Sequence, residues 1–116
     1  MPLQEVAQLA PLPGPYEIFE GVQGQPITLV VVGHVQGKAW ITPRDGRPRY
    51  EIPMLRVTVR RDDKRTGAPY WDITSKHVIA TMLGYLEAAP TKTWQFRLVK
   101  SGSGASARYA VEAQAL

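Results

Sequence analysis

A mainly β domain with one helix between its third and fourth strands is the fold class this sequence predicts. Three observations predict it. Runs of β-branched or alternating apolar residues recur at 27–35, 39–42, 50–61, 92–100 and 108–116. One stretch, 75–88, instead spaces its apolar residues at the helical period. Gly, Pro and Asp-Gly signals fall between the runs. A length of 116 residues with 44% hydrophobic and 21% charged side chains fits one globular domain, large enough to bury a core without metal or disulfide staples.

Residues 1–20 read as a Pro-rich N-terminal arm, with Pro2, Pro11, Pro13, Gly14 and Pro15 excluding helix or central strand. The expectation is a mobile or loosely docked arm ahead of a single domain at 21–116. Pro26 opens the first strand. Residues 27–35 are apolar on both faces, which suits a central strand covered on both sides. Gly33 within it marks a bulge or bend. "QGK" then turns the chain, "AWIT" forms a short second strand, and "PRDGRPR" is a loop. In the third strand Leu55, Val57 and Val59 share one face, while Met54, Arg56, Thr58 and Arg60 share the other. Pro53 puts the start of that strand at an edge or bulge. A charged connection follows. Val78, Ile79, Met82, Leu83 and Leu86 make the helix stripe, with Asp72, Thr74 or Ser75 as N-cap and Pro90 beyond the end. Trp94, Phe96 and Leu98 point inward from the fourth strand, and Tyr109, Val111 and Ala113 from the fifth. "SGSGASA" is the hairpin loop between them.

The order β-β-β-α-β-β, with a bent first strand, resembles the OB-fold. The resemblance is architectural, spans roughly 26–115, and rests on no family motif. It implies an OB-like five-stranded antiparallel Greek-key barrel with the helix between strands 3 and 4. An open antiparallel sheet with one packed helix is the other arrangement this order permits. The chain also resembles small single-stranded-DNA-binding proteins in lacking a catalytic set. It departs from the bacterial ones in having no long Gly/Gln-rich, acidic-tipped tail, so recruitment of partners through such a tail is not implied.

Little in the chain suits catalysis. Without cysteine there is no disulfide, thiol nucleophile or zinc-thiolate site. His34, expected at the core edge, and His77, expected at the surface, have no carboxylate or second histidine at ligand spacing. Asp62 and Asp63 are flanked by Arg60, Arg61, Lys64 and Arg65, which oppose cation binding. The Gly/Ser/Ala loop lacks a P-loop lysine and the strand-loop-helix setting. The expectation is therefore no enzyme, no cofactor and no metal. No apolar run approaches the roughly 20 residues of a membrane span, and the N-terminus lacks a basic, then apolar, signal pattern. A cytoplasmic location is expected.

The charge is informative. Net charge is +4, and the first twenty residues hold three Glu and no base, leaving 14 − 7 = +7 for the rest. Between Lys38 and Arg65 lie nine Lys or Arg against four Asp or Glu. Rings interleave with this charge. Lys38, Trp40, Arg44, Arg47, Arg49 and Tyr50 form one cluster. Arg56 and Arg60, then Arg61, Lys64, Arg65, Tyr70 and Trp71, form its continuation. Single-strand binders combine a cationic groove with aromatic faces on which bases stack. Arg60 to Arg65 read as a phosphate-facing arm and Tyr70 as a stacking residue. Trp71 reads either as a hinge between site and core or as a staple under the helix. The sequence thus predicts largely sequence-independent binding of single-stranded nucleic acid, DNA before RNA. The alternative is a structural or adaptor protein of a viral or multiprotein assembly, whose basic face meets an acidic protein. A weaker third reading is recognition of duplex or RNA shape. Two open strand edges allow a homodimer.

Overall fold

The computed structural model describes residues 9–102 and 107–116. The chain is mainly β. Its strands β1 (Ile27–Ile41), β2 (Tyr50–Val59), β3 (Tyr70–Ile73), β4 (Trp94–Ser101) and β5 (Arg108–Ala115) form one sheet of order β3-β2-β1-β4-β5. Each neighbouring pair is antiparallel. One helix, α1 (Lys76–Ala88), lies between β3 and β4 in the chain. β3 and β5 are the two ends of the sheet and do not pair, so it is open and not closed into a barrel. Among the described residues no helix is long and apolar enough to cross a membrane.

Five strands were expected, but two are drawn differently. "QGK" makes no turn: β1 runs unbroken through it to Ile41, and "AWIT" is its continuation. Gly37 sits inside the strand because the arm lies on it, and a Cβ there would collide with the Leu12 side chain and the Ala10 carbonyl. The third strand comes from the charged connection, where Tyr70–Ile73 pairs with β2 from Leu55 to Thr58. β1 is also not covered on both faces throughout. Leu29, Val30 and Val31 are buried, whereas Val32, His34 and Val35 are exposed. The register shift between Val31 and Gly33 divides the strand: residues 27–31 pair with β4 and meet β2 only at Val31, and the second half pairs with β2. That shift sets His34 opposite Val57, on the helix side of the sheet, where its side chain is exposed beside Leu86 at the edge of the core.

The core lies between α1 and one face of the sheet. Leu29, Val31, Leu55, Val57, Val59, Ile73, Phe96 and Leu98 meet Val78, Ile79, Met82, Leu83 and Leu86 of the helix stripe. Ser75 caps the helix, its Oγ accepting from the Val78 N–H. Trp94 is half-buried, its ring 5.0 Å from that of Tyr85. On the opposite face a smaller cluster joins Met54 and Ala39 to Leu12.

Leu12 belongs to the arm, which from Leu9 onward is docked and not loose. Its backbone bonds to Lys38 on the edge of β1 that β4 does not reach: the Leu12 N–H donates to the Lys38 carbonyl at 3.0 Å, and the Lys38 N–H to the Ala10 carbonyl at 3.1 Å. Further on, the Asp72 N–H donates to the Glu17 carbonyl and the Phe19 N–H to the Asp72 carbonyl, so the arm adds to the free edge of β3. Phe19 then turns inward. Its ring stands 5.7 Å from Trp71 of β3 and 5.9 Å from Tyr109 of β5. The Gly21 N–H donates to the Tyr109 hydroxyl at 2.9 Å. The space between the two ends of the sheet is thus occupied by the arm.

Candidate functional site

The residues assigned to one groove separate into two groups. The first is a buried polar knot. Arg56 is only 9% exposed and Asp72 is fully buried. The guanidinium binds the carboxylate with two donors, Nε to Oδ1 at 2.7 Å and Nη2 to Oδ2 at 3.2 Å, and lies 4.1 Å from the Tyr70 ring centre. The bond from Asp72 holds the Arg56 guanidinium still more firmly protonated than an ordinary arginine, against the opposing effect of burial. Asp72 Oδ2 also accepts from the Glu17 N–H at 2.8 Å. The Tyr70 hydroxyl donates to the Pro15 carbonyl.

Lys64, 7% exposed, is the second centre of the knot. Its Nζ donates to the Thr66 and Ala68 carbonyls and to Glu17 Oε1, and sits 4.5 Å over the Trp71 ring. The Ala68 N–H donates to the same Glu17 oxygen at 2.9 Å. That bond first, and Lys64 second, hold the Glu17 carboxyl below its ordinary range. Gly67 makes this wrap feasible: its φ is +74°, and a Cβ there would collide with Glu17 Oε1. Arg61 is tied back to its own loop through the Gly67 carbonyl at 2.7 Å. Arg60 lies 3.6 Å from Asp63, whose other task is to accept the Val30 N–H just past the end of β2.

Arg56, Lys64 and Trp71 therefore do not line an open groove. Their ring and charge are taken up by Asp72, Glu17 and Phe19. Tyr70 is half-buried with Arg56 across its ring. Arg60, Arg61 and Arg65 are exposed, but the first two hold the loop together. Sequence reasoning missed Asp72 and Glu17 as the organising carboxylates. A readable signal was Met54, an apolar neighbour on the same strand face as Arg56.

The second group is open. At the far end of the β1–β2 hairpin Ile41 pairs with Tyr50 and Trp40 with Glu51. Trp40 is 46% and Tyr50 49% exposed. Their register puts them on opposite faces of the hairpin, so they flank its tip rather than share one platform. Arg49 lies 4.5 Å from the Trp40 ring centre. Arg44 and Arg47 are exposed in the connecting loop, Arg47 with Asp45 at 2.7 Å. Arg47 holds the Asp45 carboxyl below its usual range. Lys38 is tied to Glu51 at 3.0 Å. Of the thirteen residues assigned from sequence, the tip brings together Trp40, Arg44, Arg47, Arg49 and Tyr50, all exposed, with the two rings on its opposite faces.

A cleft of about 260 Å³ lies beside the β1 bulge, lined in part by His34, Leu86, Lys92 and Thr93. Among the described residues no three His, Asp or Glu side chains converge as a metal site would require. The chain matches no protein-family model, no curated protein and no solved structure.

Proposed function

We propose that this protein binds single-stranded nucleic acid, largely without sequence preference, through the tip of the β1–β2 hairpin. The observation that carries the reading is the exposed pairing of rings and cations there: Trp40 and Tyr50 each about half exposed, among Arg44, Arg47 and Arg49. Bases stack on such rings and phosphates meet such guanidinium groups. Of the thirteen residues read as one groove, the site keeps the five exposed at the tip: Trp40, Arg44, Arg47, Arg49 and Tyr50. The resemblance to the OB-fold supports the same reading. The strand order, and the helix between β3 and β4, agree with the OB-like reading, although the sheet is open and Phe19 lies between its two ends. In that fold the connection between the first two strands is a recurrent ligand-binding loop.

The test is a titration of labelled single-stranded DNA, single-stranded RNA and duplex at two salt concentrations. Single strands should bind more tightly than duplex, with affinity falling as salt rises. Replacing Arg44 or Arg49 by Ala should reduce the salt slope by about one each. Equal binding of duplex, or no binding, sinks the proposal. One observation favours an acidic protein as partner instead: Lys38, Arg47, Arg56, Arg60, Lys64 and Arg97 already pair with carboxylates, so the free positive surface is compact. Absence of nucleic-acid binding together with capture of an acidic peptide by the same tip would establish that reading.

A further inference from the structure

β5 ends the sheet, and its outer edge is bare. The direction of its backbone groups follows from two bonds. The Leu116 N–H donates to the Thr93 carbonyl, and the Lys100 carbonyl, opposite Tyr109, accepts from Gly24 on the side away from β5. Arg108, Ala110, Glu112 and Gln114 therefore turn their amides and carbonyls toward β4, and Tyr109, Val111, Ala113 and Ala115 turn theirs outward. Among the described residues nothing bonds to these outward groups. The other end of the sheet differs, because residues 17–19 cover β3. Edge strands are usually blunted by lysine, proline or a bulge. β5 has no lysine or proline, and its ladder with β4 runs without a register shift.

We propose that two copies of this chain pair β5 to β5, antiparallel, about a two-fold axis through Ala110, joining two five-stranded sheets into one. The two-fold keeps each face continuous, so opposite residues must have the same parity, and the outward groups of Tyr109 and Val111 exchange main-chain hydrogen bonds. The strand is self-complementary in this register. On the exposed face Arg108 of each copy stands opposite the partner's Glu112. On the other face Tyr109 stands opposite the partner's Val111, a favourable aromatic–β-branched pair, and Ala110 meets its own copy without a clash. Centring the axis on Glu112 would oppose two like charges, which is destabilising. The inference is independent of the nucleic-acid reading, since its readout is mass and not ligand binding.

Sedimentation equilibrium over a micromolar concentration range tests it. The wild-type chain should reach the dimer mass. Arg108→Glu and Glu112→Arg should each weaken the dimer by about tenfold or more, because each puts like charges at both symmetry-related positions. The double swap should restore it. Val111→Pro removes an outward N–H and should yield a monomer that still melts cooperatively. Glu112 also lies 3.5 Å from Arg97 within its own chain. Arg97→Ala is therefore the control, and it should leave dimerisation unchanged. A wild-type chain that stays monomeric, or single swaps that leave the dimer intact, overturns the proposal. So does a folded double swap that remains monomeric.

Discussion

Asp72 is the residue on which most of the polar structure turns. Its carboxylate holds Arg56 by two bonds and the Glu17 N–H by a third, while its backbone joins the arm on both sides. Breaking a buried pair by removing one partner leaves the other charge uncompensated. Asp72→Ala should therefore cost about 3–5 kcal/mol of stability in a denaturant titration. Arg56→Ala should lower the melting temperature and leave the salt slope of any nucleic-acid binding unchanged. Alternation in "MLRVTVR" put Arg56 on the face away from Leu55 and Val57, where it was read as lining a groove, but the arm and Tyr70 cover that face. The alternation was legible; the cover was not, since it comes from residues far away in the chain. Glu17 offers a pH test. Its folded carboxyl is held below the ordinary value, so its contribution is present above that value and is lost as pH falls through the depressed one. Glu17→Gln should melt below wild type at pH 7, and the gap should close in acid. A gap that does not narrow would mean that the carboxylate charge is not what matters.

At the scale of elements, the β1–β2 hairpin separates stability from binding. Its tip rings are exposed, whereas Leu55 and Val57 nearer the helix are buried. Replacing Trp40 or Tyr50 with Ala should leave melting nearly unchanged and cost about 1–3 kcal/mol of single-strand affinity, the value of one stacked base. Trp40 fluorescence should change when oligonucleotide is added. Because the two rings face opposite sides, the losses should be unequal if the strand follows one face. The helix was fully legible, from its apolar stripe to Ser75 as one of three cap candidates. The strand count was right through two compensating errors. Gly37 looked like a turn residue because glycine permits turns, but here it provides room for Leu12. Tyr70–Ile73 looked like a connection because charge dominated its neighbourhood, yet four residues suffice to pair with β2.

For the molecule as a whole, the arm is what makes an open sheet into a sealed core. Phe19 is buried between the two ends of the sheet. Phe19→Ala should cost about 3–5 kcal/mol, as other buried Phe truncations do. A larger effect than that of Trp94→Ala would mark the arm as a structural part of the domain. Composition could not reveal this. Pro11, Pro13 and Pro15 rule out helix and central strand, but single parallel bridges to Lys38 and Asp72 need neither. What remained readable was Phe19 itself, a large apolar ring at the end of a Pro-rich stretch.

The same ring sets an order of events. Phe19 precedes every strand, yet its seat is built from Trp71 and Tyr109, the latter in β5. During synthesis the ring emerges long before its seat exists, and it must wait, exposed, until β5 has been made. Contacts so distant along the chain are slow to form and leave apolar groups open to wrong partners in the meantime. The sheet and helix can assemble without the arm's final turn, whereas the arm has nothing to close upon without them. In a refolding experiment followed by Trp71 fluorescence, the arm's docking should therefore be the last structural event, and its release the first on unfolding.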